Sequence, residues 1–311
     1  MQNMKEEDAL YALGAMLAPA LQRVGERCER GRTLEKWGLK PHRPDPRTSM
    51  ALDDGDGYDR KIPEGLSGTV MFPIMNATDA LASADILITA AAKKRPFNHH
   101  TASFLALCRT AVECSAQAIW VMSPVERDVR RARAAGLAKV GTEHARDYHD
   151  NAIQAHDQKL RVLPDVNYKQ SQHRLKFHKE EIATLDALDQ ENGRKYTDLV
   201  RKAANWIEEN PPAHATETQN VHIPTLSKQQ YRLCSSFIHG HSWPTDLIGG
   251  GPSGMFSMMA DAINTALIYT ESAVCLYEAQ STDPDSTRTN YYPEELQPTI
   301  DTWRALYAAE V

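Results

Sequence analysis

The chain has 311 residues, of which 41% are hydrophobic and 24% charged, a balance that fits a packed core and excludes a chain disordered throughout. Its net charge of −6 excludes coating nucleic acid by bulk attraction, so any such contact has to come from a local basic patch. Five cysteines (Cys28, Cys108, Cys114, Cys234 and Cys275) are odd in number and form no C-x-x-C, the usage of a reducing compartment.

Helical spacing runs along nearly the whole chain, and no stretch alternates as a half-buried strand would. The start, Lys5-Glu6-Glu7-Asp8, lacks the layout of a secretion signal and predicts a cytoplasmic protein. Met4 to Arg30 reads as an amphipathic helix with Leu10, Leu13, Leu17, Leu21 and Val24 on one stripe, kinked at Pro19. Residues 38–66 are rich in Pro, Gly and Asp and read as an irregular loop or lid. Asp53, Asp54, Asp56 and Asp59 do not fit a calcium loop, because glycines fall on ligand positions.

A second helix is expected over 67–94, and a third, apolar almost all round, over 97–122 as the core helix. Ser123-Pro124-Val125-Glu126 has the layout of a capping box opening a long polar helix to about Arg161. Further helices are expected at 169–191 and 194–209, followed by a polar connector over 211–225. Ser227-Lys228-Gln229-Gln230 reads as another capped start, to a helix ending near Gly240. The glycine-rich stretch 241–254 reads as a flexible connector, 255–279 as a last core helix, and Pro293-Glu294-Glu295 as the opening of a terminal one. Charges in the middle of both most apolar stretches, Arg109 and Glu113 in one and Asp261 and Glu271 in the other, argue against a membrane span. The expected fold is all-α: one domain over 1–311, with an N-terminal helix and loop (1–66), a helical bundle core (67–280) and a C-terminal helix (281–311).

Chemistry concentrates in residues 231–240. At about 100° per residue, Leu233, Phe237, Cys234, Ile238 and Tyr231 fill one side of that helix, while Arg232, Ser235, Ser236 and His239 share an arc of about 100°. Arg232 and His239 lie two turns apart and within about 20° in azimuth. An imidazole can take the proton of a ribose 2′-hydroxyl, and a guanidinium fork can hold the charge that gathers on the phosphorus oxygens. That pairing suits RNA cleavage without a metal or cofactor. It also suits any amphipathic helix that turns its polar stripe to water.

Arg109 and Glu113, four apart in the apolar helix, must pair with each other or line a cavity. In the first case they form an i,i+4 ion pair; in the second Glu113 orients His239, or Arg109 adds a phosphate contact. Arg127, Arg130, Arg131, Arg133 and Lys139 form a run with few acids, either a solvated face or a track for an RNA backbone. His144, His149 and His156 are out of phase for one metal site, as are His173 and His178.

Arg232-x6-His239, near the end of a late helix in an all-α chain, resembles the R-x(4–6)-H signature of the HEPN superfamily. The helix bearing Arg109 and Glu113, closed by Trp120 and Ser123-Pro124, is similar to the mid-chain helix of uncharacterised bacterial HEPN-like proteins. Toxin and antiviral-defence (abortive-infection) ribonucleases belong to that superfamily. The resemblance implies a homodimer that brings two Arg/His stripes to one cleft, with Arg232 stabilising the transition state and His239 as acid or base. Tyr231, Ser235, Ser236, Arg109 and Glu113 would support them, and a neutralising or regulatory protein would be a further partner. The signature often has a polar residue after its arginine, whereas this chain has Leu233. Two alternatives therefore stay open: a non-catalytic helical interaction protein of the same fold, and an enzyme built on a cavity of the bundle.

Overall fold

In chain order the helices are α1 (19–33), α2 (Glu35–Gly38), α3 (Ser49–Asp54), α4 (Gly65–Ala92), α5 (Thr101–Met122), α6 (Arg127–Asp157), α7 (Asp165–Asp186), α8 (Tyr196–Glu209), α9 (Ile223–Ile238), α10 (Pro252–Ser281) and α11 (Gln297–Tyr307). The computed structural model describes residues 19–62, 64–92, 100–193 and 195–308, and these contain no strand. Leu10, Leu13 and Leu17 of the first apolar stripe lie outside them.

An apolar sequence on all sides of α5 dictates its place. Phe104, Leu105, Cys108, Ala111, Val112, Ala116, Ile119 and Trp120 are all buried, which requires neighbours around the helix. α4 and α10 pack on α5 and on each other, while α8 and α9 pack together on its other flank. α5 is long and apolar enough to cross a membrane by length and composition alone, yet its surface is mostly covered by these four helices. On α1, Ala20, Val24 and Cys28 recur every fourth residue and are buried, one stripe laid against the core.

The segment 38–66 is not a loose lid. Thr48 caps α3 by accepting from Ala51 N at 3.3 Å, and a short 3-10 turn follows at Tyr58–Arg60. Asp54 Oδ1 then accepts from Ser67 N at 3.1 Å at the start of α4. Asp53 is fully buried and meets the fully buried Arg130 in a two-pronged pair, Nε–Oδ2 2.7 Å and Nη2–Oδ1 2.9 Å. Arg131 donates to the carbonyl oxygens of Leu52, Asp53 and Gly55, and Arg127 Nε lies 3.7 Å from Asp53. Arg133 holds Glu191 at 2.8 Å and the Trp120 carbonyl at 2.8 Å. The four arginines read as an RNA track thus clamp the early segment and a later loop onto α6. A buried guanidinium needs a counter-charge and acceptors, and these supply both.

Two expected caps are also corrected. Ser123 Oγ turns back to Trp120 O, and α6 begins behind Glu126 with no side-chain cap. α9 begins four residues before Ser227, with Pro224 in its first turn, where a missing N–H is harmless. Residues 243–250, read as part of a connector, wind as a 3-10 helix.

α6 and α7 form an antiparallel hairpin. α6 has 31 residues and is about 46 Å long, and α7 packs chiefly on it. The tip leaves Leu160, Val162 and Val166 exposed. Inside the hairpin, His149 stacks on His178 with centroids 5.8 Å apart and planes at 17°, and its Nδ1 lies 3.4 Å from Ser171 Oγ. His178 Nδ1 meets Glu181 at 2.8 Å. Burial, then the nearby His178 and Arg174, hold the His149 pKa below its ordinary value. The folded hairpin therefore binds fewer protons at this position than the unfolded chain. Its stability is full above the ordinary histidine value of about 6.5 and declines as pH falls through it. Hydrogen exchange, corrected for intrinsic rates, is expected to quicken over residues 145–180 on acidification, and His149→Asn is expected to remove that dependence. Unchanged protection in the unsubstituted chain would contradict it.

Candidate active site

The expected stripe exists on α9, and the end of the helix places its histidine. Gly240 takes a left-handed backbone (φ 67°), His241 N donates to Ser236 O at 2.9 Å, and Gly240 N donates to Phe237 O at 3.3 Å. These are the two bonds of a Schellman stop. The stop leaves His239 as the cap residue, exposed, two turns beyond the exposed Arg232. The Arg232 side chain has no hydrogen-bond or ion-pair partner among the described residues. Lys228, one turn earlier, is exposed about 40° away in azimuth.

The partner that α5 brings to His239 is Arg109. Its Nη1 lies 3.5 Å from His239 Nε2, a contact between residues 130 apart in sequence. Arginine has no acceptor, so a hydrogen bond here requires the tautomer whose Nε2 carries the lone pair. At 3.5 Å the contact is long for a hydrogen bond and open to replacement by a substrate oxygen.

Glu113 does not reach His239; it positions Arg109. Its Oε1 accepts from Arg109 Nε at 2.8 Å and from the Tyr231 hydroxyl at 2.8 Å, and the guanidinium lies 5.3 Å from the centre of the Tyr231 ring. The Arg109 and Glu113 side chains are each only 18% exposed. Burial works against the Arg109 charge, but Glu113 and Tyr231 outweigh it and raise its pKa. Burial first, and then Glu113, raise Tyr231, which stays a phenol that donates. So the i,i+4 pair forms, and the same pair presents Arg109 to the imidazole.

The two serines have other tasks. Ser235 Oγ donates to Tyr231 O at 2.7 Å and Ser236 Oγ to Arg232 O at 2.9 Å, so their protons are held by the helix backbone. Ser236 also accepts from Trp243 Nε1 at 2.8 Å. Sequence spacing did not single out Lys228, Tyr196 or His241. Lys228 was legible four residues before Arg232. Tyr196, raised by burial and by the Glu113 charge, arrives from α8 only through tertiary packing. His241 lies past the helix stop, its ring 6.2 Å from His239.

Arg127, Arg130, Arg131 and Arg133 belong to the clamp on α6 and add nothing here. Burial pushes the thiols of Cys28 and Cys234 up to about 12 and that of Cys114 up to about 11, which disfavours their thiolates. No group of three or more His, Cys, Asp or Glu among the described residues is arranged to hold a metal ion. A cavity of about 790 Å³ lies elsewhere, lined by His42, Asp54, Asp59, Met71 and Tyr277 among others. Asp54 there accepts from the start of α4, while His42 Nε2 lies 3.4 Å from Glu278 and is a buried nitrogen without a hydrogen-bond partner among the described residues. No protein-family model, curated protein or solved structure matches the chain.

Proposed function

We propose that this chain is a HEPN-like endoribonuclease of toxin or phage-defence type, acting in the cytoplasm without a metal. The observation that carries the reading is the Arg109 guanidinium, fixed by Glu113 and set 3.5 Å from the His239 imidazole, on the helix that exposes Arg232 with no partner among the described residues. The likeness of Arg232-x6-His239 to the HEPN signature supplies the reaction class and the biological setting.

A phosphodiester seated on Arg109 and Arg232 puts its ribose 2′-hydroxyl against His239 Nε2. His239 takes the hydroxyl proton, the 2′ oxygen bonds to phosphorus, and the bond from phosphorus to the 5′ oxygen breaks. The departing oxygen takes a proton from solvent and His239 later releases its own, leaving a 2′,3′-cyclic phosphate and a 5′-hydroxyl. The two guanidinium groups neutralise the oxygens that crowd around phosphorus.

The test is cleavage of single-stranded RNA by the purified chain in excess EDTA, with Arg109→Ala alongside. Activity in EDTA that falls about 10²–10³-fold in the variant is expected. Activity that needs an added metal, or ignores Arg109, contradicts the reading. On one chain the site is an open face, and the family likeness implies that a second copy closes it into a cleft. Sedimentation equilibrium at twice the chain mass is the expected result, and a monomer at working concentration opposes it.

One observation favours a second reading, a non-catalytic interaction protein: the arm tip with Leu160, Val162 and Val166 exposed. Exposed apolar groups clustered on a projecting element mark contact surfaces. If expression toxicity survives His239→Ala but is lost in a chain carrying Leu160→Glu and Val166→Glu, the second reading holds.

A further inference from the structure

Of the five tryptophans, Trp37, Trp120 and Trp303 are buried and Trp206 is half-buried against Trp303, ring centroids 4.8 Å apart. Trp243 is 45% exposed. An indole left in water is unusual, because its large apolar body favours burial. Nor is Trp243 loosely held. Its Nε1–H donates to Ser236 Oγ at 2.8 Å, and the Ser236 hydroxyl donates to Arg232 O at 2.9 Å. The polar edge of the ring is thus latched to the turn that follows Arg232 and precedes His239.

Permanent charge on the helix beside this ring leans positive. Between Ile223 and Gly250 the only acid is Asp246, against the permanent cations Lys228 and Arg232, in a chain of net charge −6. α5 brings Arg109 beside His239 with Glu113 as its counter-charge. A flat aromatic face latched by its edge to the helix that carries Lys228 and Arg232 matches a base joined to a phosphate: the face stacks and the two cations hold the backbone. A greasy protein partner would not call for that surplus of positive charge.

We propose that Trp243 is a stacking platform for one unpaired base of single-stranded RNA, setting the adjoining phosphodiester against Arg232 and His239. The proposal rests on the ribonuclease reading and names its substrate class. Bases inside a duplex have both faces covered by their neighbours and cannot stack on a side chain without being splayed out.

The test uses the full chain with His239→Ala, which should bind without cutting, and follows tryptophan emission on titration with a short single-stranded oligoribonucleotide or its duplex. The single strand is expected to quench emission and bind tighter than the duplex. Adding Trp243→Ala is expected to abolish the quench and weaken binding about tenfold. Trp243→Phe keeps a flat ring and should retain most of the affinity while losing the quench, so the outcome stands even where the alanine variant folds poorly. Equal affinity with Trp243→Ala, equal binding of strand and duplex, or a Trp243 already shielded from acrylamide by a second copy overturns the platform. Cleavage by the unsubstituted chain that persists undiminished in Trp243→Ala sinks the platform and leaves the ribonuclease reading intact. Quenching and binding without any cleavage do the reverse, and no binding at all removes both.

Discussion

His239→Ala is expected to lower RNA cleavage by about 10²–10⁴-fold, the range for losing a positioned acid–base group, while leaving the fold unchanged. The side chain is exposed at a helix stop, and its only polar contact among the described residues is the long one to Arg109 at 3.5 Å. The stop itself is built from backbone bonds of Gly240 and His241, which an alanine at position 239 does not disturb. Single-turnover cleavage, with circular dichroism and a melting curve for the folded state, checks both halves. A variant that cuts RNA as fast as the parent contradicts the assigned role.

The second large effect concerns stability. Asp53→Ala removes the counter-charge of a guanidinium that has no exposed surface. Arg130 would keep its carbonyl acceptors at Pro124 and Val125 but lose both carboxylate bonds. Breaking a buried pair from one side costs about 3–5 kcal/mol, because the remaining charge stays desolvated. Urea denaturation should register a loss of that size, with the segment 48–62 and the start of α6 losing protection together. A loss below about 1 kcal/mol would show that Arg130 finds water or another partner. The same experiment separates the two meanings of the arginine run, since an RNA track would lose affinity and leave the fold alone.

The fold class was legible because burial sets the spacing of apolar residues. α5 is apolar all round and lies at the centre; α9 buries Leu233 and Cys234 and exposes Arg232 and His239 as its sequence lays out, but buries Ser236 and exposes Ile238 against it. The helix starts were harder to read. Ser123 and Ser227 each sit in a pattern that favours a cap, yet the helices start elsewhere and without a side-chain cap: Glu126 precedes α6, and His222 with Pro224 opens α9. Local preference of about 1 kcal/mol per cap yields to where the whole helix packs. The segment 38–66 looked loose because its Pro, Gly and Asp content says nothing of a partner 77 residues away.

The site divides in the same manner. Arg232 and His239 share a stripe by helical arithmetic, and Arg109 with Glu113 by i,i+4 spacing, so each half could be read from sequence. Their meeting could not, because it depends on α9 docking beside α5. Nor did spacing foretell that Glu113 would serve Arg109 and Tyr231 through one oxygen instead of serving His239.

The most direct measurement replaces a single ribose by 2′-deoxyribose at the mapped cut site of an RNA substrate, in excess EDTA. Loss of cleavage at that bond alone, with 2′,3′-cyclic ends on the unmodified control, is the predicted result for an imidazole acting on a 2′-hydroxyl beside two guanidinium groups. Continued cutting at the deoxy position, or an intact control RNA, would contradict the account.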